Sequence, residues 1–327
     1  MRSLDTSDLP NDSVTLRFLV TPSDMDAAGE TVVAGRVMEW IDEAGYACAV
    51  GWSGAYCVTA YVGDVRFRRP IDAGSIVQAH ARIIHTGTSS MHIFVTIETS
   101  DIRTRTFQNA THCILVFVAV DEAGRPQPVP TWKPFDEGAM MLQDRAAARV
   151  EPRRRIQTAM LSQDYTDAGT APRTVFRFLA SPKATNWGGN AHGGTVMRWI
   201  DEAAFACAAS WSSTSAVAVY SGGIHFYQPI RIGNLVEVDA RLIHTGPHSM
   251  HISVRVRTGP PATPRELVLS TQCLTVFVDR GPDKRARDIR PLVTLSDEDR
   301  RLDAHAVDLM ALRDEMAVIP PGLARFA

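Results

Sequence analysis

The sequence of 327 residues lacks the features that mark membrane, secreted and nucleic-acid-binding proteins. No stretch approaches the roughly 20 consecutive apolar residues that a membrane-spanning helix needs. The opening MRSLDTSDLPND contains no apolar segment, so we expect no signal peptide. Lys and Arg number 34 against 36 Asp and Glu, and the net charge of −2 gives nucleic acid no basic surface. We therefore expect a cytoplasmic protein that binds neither nucleic acid nor a membrane.

Cysteine is also scarce, with five residues and no CxxC pair of the kind that binds zinc. Cys48, Cys113, Cys207 and Cys273 lie among apolar neighbours, which favours buried, reduced thiols over disulfides. The chain also lacks the GxSxG motif of α/β serine hydrolases. These absences argue against a disulfide scaffold, a metal site, and a nucleophilic cysteine or serine.

What the chain does have is an internal repeat. The segment VMEWIDEA at 37–44 returns as VMRWIDEA at 196–203, and IIHTGTSSMHI at 83–93 returns as LIHTGPHSMHI at 242–252. Both pairs are 159 residues apart (196 − 37 and 242 − 83). A chain of this length can form two domains of ordinary size, each with its own core. We predict two similar domains that face each other as a pseudo-dimer.

Each half shows the pattern of one buried helix and several long strands. In the first half a short strand at 16–20 leads through a loop to a helix from about Gly35, which is apolar on most sides. Apolar and polar residues then alternate at 77–84 and 91–97, and a nearly continuous apolar run occupies 109–120. This order excludes a parallel βαβ arrangement. We predict α+β domains, each an antiparallel sheet wrapped around a central helix.

The segment between the halves, about 124–173, is predicted to be a linker. It contains a candidate helix at 136–148 and the basic run PRRR at 152–155, which we interpret as solvated surface. A further helix is predicted near the C-terminus. We divide the chain into an N-terminal domain with the linker helix, residues 1–150, and a C-terminal domain with the final helix, residues 151–327.

The candidate catalytic residues lie in and after the loops that precede the buried helices. The second half reads ATNWGGNAHGGTVMRWIDEA and the first reads DMDAAGETVVAGRVMEWIDEA. Their alignment places Asn186 opposite Asp26 and Asp201 opposite Asp42, with one extra residue in the first loop. An ionised carboxylate inside an apolar helix is costly without partners, so the pKa of such a group is expected to be perturbed. Asn and Asp are also common in turns, so a loop Asn or Asp alone is weak evidence for catalysis. The evidence for a site is the loop residue in combination with the Asp on the helix.

With these motifs the chain resembles the acyl-CoA thioesterases of the hotdog fold, in particular the type with two hotdog domains in one chain. The family motif is a loop Asn, a Gly pair seven and eight residues later, and an Asp fifteen residues later on the central helix. The second half matches it at Asn186, Gly193, Gly194 and Asp201, with His192 before the glycines. The turn IHTGxxSMHI also resembles the long-strand hairpin of the family. The resemblance covers almost the entire chain.

The resemblance implies sites between the domains, because the Asn of one hotdog acts with the Asp of the facing one. One site pairs Asn186 with Asp42, and we predict that this is the working site. The other site pairs Asp26 with Asp201. It departs from the motif because Asp26 replaces the Asn and because the first half has VAG, at 33–35, where the second half has HGG. We predict that it is degenerate. The stretch SDMDAAG nevertheless resembles the catalytic loop of 4-hydroxybenzoyl-CoA thioesterases, which leaves open a second active site at Asp26.

The resemblance implies hydrolysis of acyl-CoA to a free carboxylic acid and coenzyme A, without a further cofactor. Backbone N–H groups of Gly193 and Gly194 would polarise the thioester carbonyl. Asn186 would orient the water or the carbonyl, and Asp42 would act as general base or as nucleophile; both roles stay open. A non-catalytic acyl-CoA sensor is the alternative function, which the presence of both Asn186 and Asp42 disfavours. The family also implies a homotrimer of double-hotdog chains.

Three arginines in the stretch VRFRRP are candidates for contacts to the phosphates of coenzyme A. They are Arg66, Arg68 and Arg69. A solvated strand edge explains the same residues without any ligand. The length of the acyl chain is not encoded in any motif that we identify.

Overall fold

A computed structural model describes residues 11–103 and 106–316. Most of the segment considered for a signal peptide lies outside the described residues, and that expectation stays a prediction. Among the helices of the described residues, none combines the length and apolar character needed to cross a membrane.

The first half folds around one long central helix. In chain order its elements are β1 (Ser13–Leu19), α1 (Ala34–Ser53), β2 (Cys57–Val62), β3 (Val65–Arg66), β4 (Ile76–Thr86), β5 (Ser90–Ser100) and β6 (Gln108–Ala119). Helix α1 is apolar nearly all round, and Met38, Trp40 and Ile41 are fully buried. The predicted alternation on β4 is confirmed, because Val77 and Ala79 are buried against this helix.

A helical linker and the second half follow. The elements are α2 (Glu137–Ala148), α3 (Val150–Leu161), β7 (Arg173–Leu179), α4 (Gly193–Trp211), β8 (Ala216–Phe226), β9 (Leu235–Thr245), β10 (Met250–Gly259), β11 (Val268–Asp279) and α5 (Asp297–Asp314). The order of elements after the linker repeats that of the first half, except for the short β3. This confirms the predicted tandem of two hotdog domains.

The two domains share one continuous antiparallel sheet. Its strand order is β1-β4-β5-β6-β2-β8-β11-β10-β9-β7, and β3 also pairs with β8. The domains join where β2 meets β8, with Tyr61 opposite His225 and Val62 opposite Ile224. Each half of the sheet wraps around its own helix, as predicted, but the hydrogen-bonded junction between the halves was not expected from the sequence.

The central helices α1 and α4 pack against each other at their N-terminal ends. A Cβ atom on Gly194 would lie 2.9 Å from Cα of Glu39, and one on Gly35 would lie 3.0 Å from Cα of Arg198. Real Cβ atoms essentially never approach a neighbouring atom to 2.9 Å and seldom to 3.0 Å, so glycine at both positions allows the close approach of the helices. The reciprocal pair of contacts relates the two domains by a pseudo-two-fold axis.

The linker differs from the prediction in one respect. The run PRRR lies in a second linker helix, α3, which was not predicted, and Ile156 and Met160 of this helix are buried beside α5. This packing turns Arg153 towards the sheet, and its guanidinium carbon lies 4.8 Å from the ring centroid of Tyr61. Arg154 and Arg155 are exposed, as expected for solvated surface.

The predicted domain boundary falls one residue after the start of α3, which packs against α2. Helix α2 contacts β4 of the first domain, whereas α3 contacts β8 and α5 of the second. The division between residues 150 and 151 stays a prediction, and the packing of the two helices agrees with it. All five cysteines are buried and free, as expected.

Candidate active site

Asp42 lies on α1 where this helix meets the first turn of α4, and its side chain is fully buried. The Oδ1 atom accepts a hydrogen bond of 2.8 Å from Thr59 Oγ1 on β2. The Oδ2 atom accepts one of 2.7 Å from the backbone N–H of Gly194 and lies 2.7 Å from His192 Nδ1. Three donors from two domains thus solvate the carboxylate, which removes most of the cost of burying its charge.

His192 is the N-cap residue of α4 and bridges the two domains through Asp42. Burial alone lowers the pKa of His192, but its hydrogen bond to Asp42 and the charges of Asp42, Glu43 and Glu39 outweigh that effect, and the net shift is upward. The ring of Tyr46 packs edge-on against the imidazole, with 5.4 Å between centroids. The imidazole is thereby held in place with Nδ1 directed at the carboxylate.

Asn186 begins the turn that precedes α4. Its side-chain oxygen accepts hydrogen bonds from the backbone N–H groups of Gly188 (2.9 Å) and Asn190 (3.1 Å). Because both partners are donors, the atom that they contact must be the oxygen of the amide. The turn therefore uses the acceptor of Asn186 and leaves its NH2 group as a donor.

The turn of Asn186 packs on Tyr56 of the first domain. A Cβ atom on Gly188 would collide with the Tyr56 hydroxyl, whose oxygen is buried. Burial raises the pKa of Tyr56, although the amides of Asn190 and Asn186 counteract it. Tyr56 precedes Thr59 by three residues, which span about 10 Å in extended chain. The structure thus brings Asn186 and Asp42 to one short segment of the domain interface.

The predicted roles of the two glycines need a correction. The N–H of Gly194 donates to Asp42, so it cannot also polarise a thioester carbonyl. The N–H of Gly193, in contrast, has no acceptor among the described residues. A Cβ atom at Gly193 would lie 2.7 Å from Thr59 Oγ1 and 3.0 Å from Asp42 Oδ1, so glycine keeps this approach to the carboxylate open. Gly194 positions Asp42, and only Gly193 fits the predicted role.

The pseudo-symmetric site around Asp201 is poorer in donors. Its Oδ2 accepts a 2.7 Å hydrogen bond from the N–H of Gly35, the counterpart of the Gly194 contact. The N-cap position of α1, however, is Val33, which carries no hydrogen-bonding side chain. Burial raises the pKa of Asp201 to about 7; the hydrogen bond from Gly35 lowers it and the charge of Glu202 raises it further. The perturbation expected for a carboxyl group inside an apolar helix is thus present at Asp201.

Asp26 occupies the turn position of Asn186 but offers no donor. Its two oxygens accept hydrogen bonds of 2.9 Å from Glu30 N and from Thr31 Oγ1. Isolated β-bridges place Thr31 and Asn190 at equivalent positions, so Glu30 is the extra residue of the first loop. The second interface therefore combines two carboxyl groups and lacks the amide donor of Asn186.

Several residues of the first site were missed from the sequence as partners of Asp42. The repeat itself contains the signal, because each of these residues has a different residue type 159 positions away, although the flanking motifs are nearly identical. The differing pairs are His192 and Val33, Thr59 and Ala218, Tyr56 and Ser215, and Tyr46 and Phe205.

Comparisons with known proteins point to one family. A family model described as thioesterase superfamily matches residues 29–106 and 188–264, once in each half. An uncharacterized acyl-CoA thioester hydrolase of Buchnera aphidicola is 32% identical over 122 residues, or 36% of this chain and 90% of that protein. The cytosolic acyl coenzyme A thioester hydrolase of Mus musculus is 26% identical over 263 residues, or 76% of this chain and 68% of that protein. The solved acyl-CoA hydrolase of Staphylococcus aureus, in complex with butyryl coenzyme A, coenzyme A and coenzyme A disulfide, is 34% identical and aligns over 46% of this chain and 92% of its own, with a TM-score of 0.42.

Proposed function

The chain belongs to the thioesterase superfamily as a tandem of two hotdog domains, and from this premise we propose that it hydrolyses acyl-CoA to a carboxylic acid and coenzyme A. We propose that the reaction takes place at the interface site of Asn186 and Asp42. The observation that carries this proposal is the pairing of a buried carboxylate, held by three donors, with an amide whose oxygen is used by its turn and whose NH2 group is left as a donor beside Tyr56.

Asp42 is the group that starts the reaction. Its Oδ2 already accepts from Gly194 and lies against His192, so Oδ1, beside Gly193, is the oxygen with a remaining lone pair. As a general base, Oδ1 removes a proton from water while the oxygen of that water bonds to the thioester carbon. As a nucleophile, Oδ1 itself bonds to that carbon, and water then hydrolyses the anhydride. Both routes stay open.

The tetrahedral intermediate needs donors for its oxyanion. The NH2 group of Asn186 and the N–H of Gly193 are suited to this role, because one is left over by its turn and the other lies at a helix N-terminus. Collapse of the intermediate breaks the carbon–sulfur bond. In the general-base route the thiolate leaving group then takes up the proton that Asp42 removed from water, which returns Asp42 to its carboxylate form.

We propose that the interface of Asp26 and Asp201 does not catalyse the reaction. An oxyanion would meet the carboxylate of Asp26 where the first site offers an amide donor, and like charges repel. The carboxyl group of Asp201 also lacks counterparts of the donors Thr59 and His192, because Ala218 and Val33 occupy the equivalent positions.

The function is tested by incubating the purified full-length chain with a panel of acyl-CoAs of increasing chain length and measuring the release of free thiol. We expect turnover with at least part of the panel, and the pattern of kcat/KM gives the chain-length preference. Binding of acyl-CoA without any thiol release would contradict hydrolysis and support a sensor.

The amide of Asn186 is tested by Asn186→Asp, which preserves an acceptor for the turn but removes the NH2 donor. We expect kcat to fall by about 10² to 10³-fold, as for the loss of one oxyanion-hole donor. The matched control is Asp26→Asn, the reverse change at the equivalent turn, which should leave kcat within about threefold of wild type, well inside the effect of a lost donor. Wild-type kcat in Asn186→Asp would exclude Asn186 as an oxyanion donor.

We further propose a cytoplasmic location and a homotrimer, as the resemblance to double-hotdog thioesterases implies. The named relative from mouse is described as cytosolic. Three chains of 35.8 kDa would give 3 × 35.8 = 107.4 kDa by light scattering, and a mass of one chain at working concentrations would exclude the trimer.

A further inference from the structure

A second polar cleft lies on the face of the sheet that points away from α1. Along β6, Cys113 and Leu115 pack into the core that surrounds α1, whereas Ile114 packs with α2 on the opposite face. The cleft is lined on this outer side by Arg66, Arg68, His112 and other residues around the end of α2. It encloses about 530 Å³, including solvent at its mouth. Because the cleft lies on the outer face of the sheet and α1 lies on the inner face, it is separate from the Asp42 site.

Two of the arginines at this cleft have no anionic partner. Arg66 and Arg68 are two positions apart in an extended segment, so their side chains extend from the same side. The segment is fixed beside β6, because Thr111 Oγ1 donates to the Arg66 carbonyl (2.8 Å) and Arg68 N to the Ala110 carbonyl (3.3 Å). Within residues 11–103 and 106–316, no acid pairs with either guanidinium.

A third arginine adds to the positive charge. Arg149, at the end of α2, pairs with Asp64 at 3.2 Å, and Asp64 also accepts from the Tyr220 hydroxyl. The lining of the cleft thus contains three guanidinium groups and one carboxylate. The guanidinium groups of Arg66 and Arg68 are exposed and repel Arg149 and each other, and an anion bound between them would offset this repulsion.

His112 lies among these arginines and is itself incompletely bonded. Its Nδ1 atom is buried and has no hydrogen-bond partner in the described chain. Burial, followed by the charges of Arg68, Arg149 and Arg66, lowers the pKa of His112 to about 4. The ring is therefore neutral at physiological pH, and Nδ1 can contribute one hydrogen bond to a ligand without adding charge.

From these contacts we propose that the cleft binds a phosphate-bearing anion of the size of a diphosphate. The planar forks of unpaired arginines match the geometry of phosphate oxygens, and His112 supplies a further polar contact at the floor of the cleft. The phosphates have two possible sources, namely the coenzyme A part of the substrate or a separate organic phosphate. The site joins the first domain, the linker and the end of the C-terminal helix through Arg66, Arg149 and Met316.

The site is tested with inorganic pyrophosphate by isothermal titration calorimetry at low ionic strength. We expect Arg66→Ala and Arg68→Ala each to weaken binding at least fivefold, since each removes a charge-assisted contact. The matched control is Arg69→Ala, which removes the same charge next in sequence, where the side chain bonds to Gln108. The control should bind within twofold of wild type.

Two results would overturn the proposal. One is the absence of pyrophosphate binding to the wild type at millimolar concentration. The other is equal weakening in Arg68→Ala and Arg69→Ala, which would indicate long-range charge in place of a built site. Neither measurement involves hydrolysis, so the test of the cleft is independent of the test of thioesterase activity.

Kinetics then identify the source of the phosphates. If they belong to the substrate, Arg68→Ala raises KM for acyl-CoA but not for the matching acyl-pantetheine thioester, and coenzyme A displaces pyrophosphate. If they belong to a separate molecule, KM is unchanged and coenzyme A and pyrophosphate bind together. Either pattern, combined with weakened pyrophosphate binding, supports the site.

Discussion

Asp42→Asn is expected to lower kcat for acyl-CoA hydrolysis by at least about 10³-fold, within the range assigned to general bases and nucleophiles. Asparagine has nearly the shape of aspartate and retains an oxygen for the N–H of Gly194. The asparagine amide neither takes up a proton from water nor attacks the thioester carbonyl. Alanine would be a poorer probe, because it would leave the buried donors of Thr59, His192 and Gly194 unpaired and could reduce stability. The measurement is thiol release at saturating substrate.

The matched control for this variant lies in the same chain. Asp201→Asn is the same substitution at the pseudo-symmetric position, where the carboxyl group also accepts from a helix N-terminus. We expect its kcat to stay within about threefold of wild type, a change that is small beside the loss of a catalytic group. If both variants retain half of the activity, both interfaces catalyse the reaction. If only Asp201→Asn is inactive, the working site is the other one.

Asp201→Asn is also expected to change how the free energy of unfolding depends on pH. The folded-state pKa of Asp201 is about 7 against an ordinary value of 3.8, because burial penalises the ionised form. A raised pKa contributes stability that is fully present below pH 3.8 and is lost as the pH rises to about 7. The shift of 7 − 3.8 = 3.2 corresponds to a cost of at most about 4 kcal/mol at higher pH. Asparagine does not ionise, so Asp201→Asn does not incur this cost. Its side-chain oxygen can still accept a hydrogen bond from the N–H of Gly35.

The prediction is therefore a difference between two proteins. The free energy of unfolding of Asp201→Asn, minus that of wild type, should rise between pH 4 and pH 7 and then level off. Urea denaturation at several pH values gives this difference, and groups such as His192 cancel because both proteins contain them. A difference that is constant across this range would show that Asp201 titrates in the folded protein as it does in the unfolded chain.

The elements of each domain could be predicted because their periodicity is local. The alternation on β4 and the apolar faces of α1 and α4 depend on neighbours within a few residues, and their bounds agree to within about three residues, which is the usual uncertainty at element ends. Helix α3 was missed because it begins with charged residues and its apolar face consists mainly of Ile156 and Met160, four residues apart. This pair is too weak a periodic signal to predict a helix. Only the packing against α5 shows that these two residues belong to a buried face.

The candidate site could be predicted only in part for a related reason. Asn186 and Asp42 follow from the repeat and the family motif. The donors that distinguish Asp42 from Asp201 come from other segments: Thr59 belongs to β2, and His192 belongs to the facing domain. The junction of the two sheets likewise depends on the pairing of Tyr61 with His225, far apart in sequence. No local pattern specifies such contacts.

The presence of two unlike halves in one chain has a consequence for how such a protein can change. In a two-fold homodimer every substitution appears twice, once on each side of the axis, so both interface sites change together. Here the two halves are encoded separately and covalently joined, so a substitution appears once. Tyr56, Thr59 and His192 can thus be retained around one carboxylate while Ser215, Ala218 and Val33 accumulate around the other. If the Asp42 interface alone catalyses the reaction, as we propose, the other interface is not under selection for turnover.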